Sequence, residues 1–572
     1  MIVSDAAVTM TPALSTGLLI ALLIVLTAVM LTVQRKRAEK AFRKRLLSTF
    51  GEERELRLTA EEYESIRAFA RDHESNGFFV DDTTWHDLGM DEVFLRMDSC
   101  MSSPGEDVLM YWLRVQKEDG PELRKRRESA AYYDSHAEER ADIQMILHGV
   151  GRKLHQSQYA YIRSLDSAKP VRLGLYLFLT AAAVLSIILL FIEPLIGLAV
   201  FVPLLIADIF LQMRGDRMLR LNVEAFNSIL RLMHAGKRLM KMDPAPFADD
   251  IEAIRKDCAA LRSFARGSYF VTSAGKIGTG IEDAILSYLK MFFHPDMLKF
   301  NQMLSSYRSN AAIVSDLYRR IGYIDAVIAS ASFRRRLPWS ADVDTEDTPE
   351  ACFAAEKLFH PLIGDPVPND VALTGGNLVT GSNASGKSTF LKSCGIASIL
   401  AQGLGYTCAA SYRAPFLRVM SSMALEDNLA GGESYFIVEL KSIQRILSEA
   451  KKPGCLLCLV DEVLRGTNTI ERIAASSRIL RSLCGRNVIA LAATHDIELT
   501  QILREYWKNW HFTETVTDED VSFDYKLREG PATTRNAIRL LRMLGFEKEL
   551  ADSAQAAADH FEENGIWEAI HE

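Results

Sequence analysis

The sequence lacks three features that would each point to a particular class of protein. It has no excess of positive charge: the formal net charge is −8 over 572 residues, so no global basic field indicates nucleic acid as a partner. It has eight cysteines, scattered singly apart from Cys455 and Cys458, which predicts reduced thiols in a cytosolic setting rather than a disulfide framework. It also has no internal repeat and no low-complexity tract, which excludes a repeat array.

The spacing of Cys455 and Cys458 is that of a metal-binding C-x-x-C pair, but the surrounding residues argue against a metal. The stretch 455–460 is entirely apolar and predicts a buried strand. Residues three apart on a strand face opposite sides of the sheet, so the two thiols should not share a ligand.

Long hydrophobic runs, in contrast, are present. Residues 13–33 carry no charge over a length sufficient to cross a bilayer, and a basic cluster follows at once. Because basic flanks stay in the cytoplasm, this arrangement predicts a retained anchor in the cell (inner) membrane with the N-terminus outside and anionic lipid beside the basic cluster. A cleaved signal peptide would carry its positive charges before the run. The cluster comprises Arg35, Lys36, Arg37, Lys40, Arg43, Lys44 and Arg45.

Two further apolar runs, 173–192 and 195–213, are separated by Glu193 and Pro194. Basic residues lie on both outer flanks, which predicts a transmembrane hairpin that returns to the cytoplasm. Asp208 lies within the second run, so a buried hairpin of a soluble domain remains the alternative.

Residues 381–389 read GSNASGKST and fit the phosphate-binding pattern G-x-x-x-x-G-K-[ST] without a mismatch. A predicted strand at 377–380 precedes the loop and a predicted helix at 390–400 follows it, which is the context that this loop requires. Lys387 is expected to reach the β- and γ-phosphates, and Ser388 to bind Mg²⁺, so the predicted ligands are ATP and Mg²⁺. The expected nucleotide-binding residues are Gly381, Ser382, Asn383, Ala384, Ser385, Gly386, Lys387, Ser388 and Thr389.

Two later strands should end at the same edge of the sheet as this loop. The apolar run 455–460 leads into Asp461 and Glu462, which predicts a magnesium ligand followed by a carboxylate that activates water. The apolar run 488–493 leads into Thr494 and His495, and we expect His495 to contact the γ-phosphate there. The predicted catalytic residues are therefore Glu462, His495 and Lys387.

A segment at 429–439 places two glycines before Ser434 at the start of a predicted helix. Such a turn presents N–H groups and a hydroxyl to an anion. Within its own subunit no phosphate remains for it, so the sequence predicts that Ser434 acts in trans, at composite sites across a homodimer.

The predicted architecture is multidomain: membrane helices, an all-α helical core and a C-terminal α/β P-loop NTPase domain of the ABC-type ATPase head. The helical stripes between the hydrophobic runs predict bundle core. The expected division is an anchor at 1–33, a basic juxtamembrane helix and linker at 34–90, helical core at 91–172, a transmembrane hairpin at 173–213, further helical core at 214–340 and the ATPase domain at 351–572.

The C-terminal part resembles the ATPase domain of the MutS family of DNA mismatch-repair proteins, over 351–560. A weaker likeness, at 91–114, is similar to the start of that family's helical core. The motifs that carry the resemblance are His360-Pro361, Pro368-Asn369-Asp370, the loop 381–389, Asp427-Asn428-Leu429 leading to Ser434-Tyr435-Phe436 and Glu439, Asp461-Glu462, the run 465–469, Thr494-His495 and Glu498-Leu499.

The resemblance implies a dimeric ATPase in which Lys387, Ser388, Asp461, Glu462 and His495 act in cis, with mismatched or structured DNA as the inherited partner. Roughly 90 residues precede the helical core, too few for the family's mismatch-reading domain. The expected function is thus a membrane-tethered MutS-like ATPase. The alternatives are an ABC-transporter-like ATPase and a membrane scaffold ATPase that does not bind DNA. The small basic cluster at 334–336 is expected to be a solvated face.

Overall fold

The computed structural model describes residues 12–53, 58–152, 157–272, 293–343, 350–382, 385–423, 435–516, 521–532, 538, 541 and 545–570. Within this described part, the helices up to residue 336 are accompanied by one short antiparallel pair, β1 (Phe78–Phe79) with β2 (Val115–Gln116). The helices are α1 Pro12–Ser48, α2 Ala60–Asp72, α3 Asp82–Asp87, α4 Met90–Met97, α5 Ser103–Arg114, α6 Gly120–Ser135, α7 Ala137–His148, α8 Gln158–Ser164, α9 Leu173–Ile192, α10 Pro194–Met242, α11 Ala248–Ala260, α12 Arg262–Ala265, α13 Tyr269–Thr272, α14 Pro295–Ser309 and α15 Ala311–Arg336.

From residue 341 onwards strands and helices alternate, as the sequence predicted. The strands are β3 Ala341–Asp342, β4 Phe353–Leu358, β5 Asn369–Leu373, β6 Gly376–Thr380, β7 Tyr406–Thr407, β8 Ser411–Arg413, β9 Leu417–Ser422, β10 Cys455–Asp461, β11 Val488–Ala493, β12 Trp507–Val516 and β13 Val521–Glu529. The helices are α16 Lys387–Leu404, α17 Tyr435–Ala450, α18 Thr469–Ser482, α19 Glu498–Ile502 and α20 Lys548–Asn564.

The main sheet is a mixed one of six strands in the order β13-β12-β6-β11-β10-β9. Strands β12, β6, β11, β10 and β9 run parallel, and β13 joins antiparallel to β12. The register pairs Asp461 with Ala493 and Ala493 with Val379. The carboxyl ends of β6, β10 and β11 therefore meet at one edge, as the sequence predicted.

The two faces of this sheet belong to different apolar cores. On one face, Leu457 and Ile489 belong to an apolar core that also contains residues of the helical region, such as Phe226 on α10. The other face, with Leu456, packs under α17 and α18. Cys455 belongs to the first core and Cys458 to the second. The two thiols thus lie on opposite sides of the sheet, as the strand alternation predicted.

The helical region and the sheet domain are joined by buried polar contacts. The Gln116 side chain donates to the Ile399 carbonyl at 3.1 Å and accepts from the Gln402 amide at 2.7 Å. The Ser421 hydroxyl donates to Asp87 at 2.6 Å. Because these groups are buried and paired, separating the two parts would leave several polar atoms without partners.

Residues 58–90, expected to form part of a linker, are instead packed. Phe69, Trp85 and Leu88 are at most 2% exposed and belong to the main core. The sequence signal was weak because Phe69 lies on α2, Trp85 on the six-residue α3 and Leu88 just after it, so no long apolar stripe marks the segment. The basic cluster that follows the first apolar run also forms ion pairs within the protein: Arg43 pairs with Glu138 and Asp142 on α7, each at 2.6 Å.

The expected break at Glu193 and Pro194 is present, since α9 ends at Ile192 and α10 begins at Pro194. Among the described residues, α9 is the one helix long and apolar enough to cross a membrane by length and composition. Its most apolar 18 residues have a mean hydropathy of 2.7, and 17% of them are buried. A shorter apolar segment, Pro194–Ala207, follows. Helix α10 then continues without interruption into the helical region, and α1 likewise runs unbroken past residue 33.

Candidate nucleotide-binding site

The phosphate-binding loop connects a fully buried strand, β6, to the first turn of α16. Two of its glycines have backbone angles that other residues rarely adopt, with φ of 145° at Gly381 and 103° at Gly386. A Cβ at Gly381 would stand 3.0 Å from the Phe512 carbonyl oxygen. The helix begins at Lys387, so its first free N–H groups and the positive end of its dipole face the loop. Asn383 and Ala384 lie outside the described residues.

Lys387 is directed back across this loop. Its ammonium donates to the Gly381 and Ser382 carbonyl oxygens at 2.9 and 2.7 Å, and lies 3.4 Å from Nε2 of His495. The residue is 5% exposed. Burial lowers the pKa of Lys387, and the nearby carboxylates of Asp461 and Glu462 oppose that shift. A buried cation among carbonyl oxygens and carboxylates is well placed to receive phosphate oxygens.

Ser388 and Asp461 form the second contact at this edge. The Ser388 hydroxyl donates to Oδ2 of Asp461 at 2.5 Å, and so joins the first turn of α16 to the end of β10. These hard oxygen atoms are of the kind that Mg²⁺ binds, and Mg²⁺ commonly takes only one or two protein ligands and completes its shell with water and phosphate oxygens. The donor set therefore fits magnesium. Among the described residues no cluster of three or more His, Cys, Asp or Glu side chains suited to a metal occurs.

Glu462 is held on both of its carboxylate oxygens. Nε2 of His495 lies 2.9 Å from Oε1, and Nε of Arg465 lies 2.7 Å from Oε2. The hydrogen bond from His495 lowers the pKa of Glu462, burial opposes this, and the positive charges of Arg465 and Lys387 lower it further. The carboxylate therefore stays ionised at neutral pH, as a general base must.

The structure thus brings five predicted site residues, Lys387, Ser388, Asp461, Glu462 and His495, into one network of contacts. Arg465 belongs to the same network, and sequence reasoning assigned it no role. The signal that could have found it is a basic residue three positions after Glu462, within reach of that carboxylate on a turn. Ser434 lies outside the described residues.

A cavity of about 720 Å³ opens beside the loop. Its lining combines the polar residues already described with apolar ones, which include Ile363, Val367 and Tyr525. The ring of Tyr525 covers Gly386, since a Cβ on that glycine would lie 3.2 Å from it. Apolar side chains beside a phosphate loop suit a planar base attached to a phosphate chain. Sequence reasoning missed these residues because two segments far apart in the chain supply them.

His360 also lines this cavity. Burial lowers its pKa to about 4, and the charges of Lys392 and Arg96 act in the same direction. His360 is therefore neutral at physiological pH. It adds a polar but uncharged surface near the phosphate loop and does not compete with Lys387 for anionic groups.

Comparison with known proteins agrees with this geometry. The model of MutS domain V matches residues 377–562, which include β6, the phosphate-binding loop, β10 and β11. This part of the chain belongs to the MutS family. It is 33% identical over 192 residues to the DNA mismatch repair protein MutS of Thermus thermophilus, which is 33% of this chain and 23% of that protein. It is 33% identical over 202 residues to the protein of the same name from Thermus aquaticus, covering 34% of this chain and 25% of the relative.

The likeness to MutS proteins is therefore confined to one domain. The chain matches about a quarter of the length of these curated relatives. The matched stretch covers the six-stranded sheet and the edge where Lys387, Asp461 and His495 meet. The helical region and the apolar hairpin lie outside it.

Proposed function

We propose that this protein binds ATP with Mg²⁺ and hydrolyses it at the carboxyl edge of the six-stranded sheet. The observation that carries the proposal is the contact network at that edge. Lys387, Ser388, Asp461, Glu462 and His495 come from one helix and two strand ends, yet their side chains meet within hydrogen-bond or ion-pair distance. Membership of the MutS family supports the same activity.

ATP would occupy the cavity with its phosphates on the loop and its base against the apolar side chains of the lining. The loop N–H groups and Lys387 bind phosphate oxygens, and Lys387 exchanges the carbonyl oxygens of Gly381 and Ser382 for them. Tyr525 and Val367 offer the base apolar contact. When bound, Mg²⁺ supplies positive charge that neutralises the phosphates, and Ser388 and Asp461 are the residues that would hold it.

Hydrolysis needs a water molecule placed in line with the γ-phosphorus. Glu462 orients this water and takes its proton as the water oxygen bonds to phosphorus. The bond from the γ-phosphorus to the bridging oxygen breaks at the same time, and ADP leaves with that oxygen. His495 and Arg465 hold the two carboxylate oxygens and thereby fix the direction in which Glu462 points. Lys387 stabilises negative charge that develops on the phosphates.

The test is phosphate release from ATP by the purified full chain, with Lys387→Ala as the inactivating variant. We expect steady magnesium-dependent turnover in the wild type and loss of productive nucleotide binding in Lys387→Ala. Lys451→Ala, which removes an exposed lysine at the end of α17, is the matched control. A wild-type chain that binds no ATP and releases no phosphate would contradict the proposal.

We further propose that the active unit is a homodimer in which Ser434 of each chain completes the partner's site. The support is the sequence pattern at 429–439 and the family resemblance. Mixing Ser434→Ala chains with Lys387→Ala chains tests it, since a mixed dimer keeps one intact composite site. Activity recovered on mixing is expected, and two inactive pools that stay inactive when mixed would count against shared sites.

DNA is the proposed partner, because the relatives are DNA mismatch repair proteins by name. The basic cluster at 334–336 offers little unpaired positive charge to DNA, because Arg334 pairs with Asp342 at 2.6 Å and Arg335 pairs with Asp134 at 3.1 Å. The ATPase rate with and without homoduplex, mismatched and branched DNA is the test, together with binding measured at several salt concentrations. No binding at low salt, with the ATPase active, would favour the alternative of a membrane scaffold or transporter-like ATPase.

Finally, we propose that α1 and the hairpin of α9 and α10 tether the protein to the inner membrane, with the N-terminus outside and the ATPase domain in the cytoplasm. Large apolar side chains on α9 are exposed, including Phe178 at 68% and Phe191 at 86%. Twenty helical residues match the thickness of the hydrocarbon core. A reporter fused after residue 170 should read cytoplasmic, and an exported signal there would overturn this topology.

A further inference from the structure

Helix α17 is joined to the turn that carries the catalytic carboxylate. Glu439, on the second turn of α17, is 3% exposed. Its Oε1 accepts the Leu464 N–H at 2.5 Å and the Arg465 N–H at 3.3 Å. Gly466 follows Arg465, and a Cβ on this glycine would lie 3.2 Å from Cβ of Phe436, which is also on α17. The helix therefore contacts the turn both through a buried carboxylate and through close packing.

This turn needs such support because its backbone is unfavourable. Glu462 and Leu464 have φ of 58° and 61°, in the left-handed region. For residues other than glycine this conformation costs about 1–2 kcal/mol each. The flanking groups are anchored: the Glu462 N–H donates to the Ala493 carbonyl at 2.9 Å, and the Ser476 hydroxyl donates to the Val463 carbonyl at 3.1 Å. Glu439 supplies the acceptor for the next two N–H groups.

The consequence reaches Glu462 through Arg465. The Arg465 N–H donates to Glu439, and Nε of the Arg465 guanidinium lies 2.7 Å from Oε2 of Glu462. We propose that Glu439 is a positioning residue for ATP hydrolysis, which fixes the turn 462–465 so that Arg465 holds Glu462 in its catalytic orientation. This inference rests on the proposed function, since it assigns Glu439 a role in the step that Glu462 performs.

Among the described residues, Glu439 neither lines the cavity nor contacts the phosphate loop, so its effect should fall on turnover and not on binding. Lys387, Ser388 and Asp461 keep their own contacts when Glu439 is removed. The turn, in contrast, is left with two N–H groups without this acceptor, that of Leu464 buried, and with a strained backbone that can relax. A carboxylate displaced by about 1 Å from its catalytic position can cost on the order of 100-fold in rate.

The experiment compares Glu439→Ala and Glu439→Gln with the wild type, using kcat and KM for phosphate release and the Kd of a fluorescent ATP analogue. We expect Glu439→Ala to lower kcat by roughly 10- to 100-fold, with Kd for ATP unchanged within about threefold. Glu439→Gln keeps a carbonyl oxygen of the same reach, so it should retain most of the wild-type kcat. Gln444→Ala, at an exposed position on the same helix, is the control for disturbing α17.

The rescue by glutamine separates positioning from a general loss of folding. A Glu439→Ala variant with wild-type kcat, beside an active wild type, would overturn this inference and leave the proposed function intact. Parallel losses of ATP binding and turnover in both variants would also overturn it, since they indicate a purely structural role. An inactive wild-type chain would overturn the inference together with the proposed function.

Discussion

Replacing Glu462 by glutamine is the sharpest perturbation of the proposed reaction. The carboxylate accepts contacts from His495 at 2.9 Å on one oxygen and from Arg465 at 2.7 Å on the other. Glutamine has the same size but is not a base, and only one of its two terminal atoms can accept. General base catalysis is worth about 10²–10⁴-fold, so kcat should fall by that factor, or about 3–5 kcal/mol in activation free energy.

ATP binding should survive this change, because the groups that receive the phosphates are separate from Glu462. Lys387 makes its own contacts to the loop carbonyls, and Ser388 its own contact to Asp461. The variant is therefore expected to bind ATP without turning it over and to accumulate as a closed dimer. Phosphate release, the Kd of a fluorescent ATP analogue and size-exclusion chromatography with ATP measure the three quantities.

The matched control is Glu505→Gln, which makes the same chemical change at an exposed position away from the cavity. The lowered pKa of Glu462 adds a second check. The carboxylate remains ionised as the pH falls to its ordinary value of 4.5, so its protonation should not limit the wild-type rate between about pH 5 and 8. Wild-type turnover in Glu462→Gln would refute its assignment as the base, and loss of ATP binding in that variant would refute the separation of roles.

Two other predictions follow from contacts elsewhere in the structure. Ser388→Ala should raise the Mg²⁺ concentration needed for half-maximal ATPase activity by roughly tenfold or more, since a direct ligand is lost. The control Ser448→Ala, on α17, should leave this concentration unchanged. Equal magnesium dependence of the two variants would contradict the assignment of Ser388 as a ligand. Gly322→Ala should destabilise the fold by about 1–3 kcal/mol, because the new Cβ would lie 2.2 Å from the Pro104 carbonyl oxygen; Gly364→Ala, with open space around it, is the control in thermal unfolding, and equal melting temperatures would contradict the packing argument.

The sequence by itself determined the parts of this protein that depend on neighbours along the chain. The loop 381–389, the strands that end at Asp461 and Ala493, and the helix break at Glu193 and Pro194 are all local patterns. A phosphate loop needs its glycines at fixed spacing, and a buried parallel strand needs an unbroken apolar run. Because parallel strands share one carboxyl edge, the meeting of Lys387, Asp461 and His495 could also be predicted.

Tertiary structure alone decided which distant residues complete the site and which charged side chains pair within the protein. The contact of Ser421 with Asp87 joins positions 334 residues apart, and no local pattern encodes it. The same holds for Tyr525 over Gly386 and for Glu439 beneath Arg465. In the basic cluster at 334–336, Arg335 is exposed as the sequence predicted, but Arg334 and Arg335 pair with Asp342 and Asp134, and Arg336 donates to the Arg96 carbonyl. Such contacts depend on how whole elements pack, and sequence spacing carries no information about that packing.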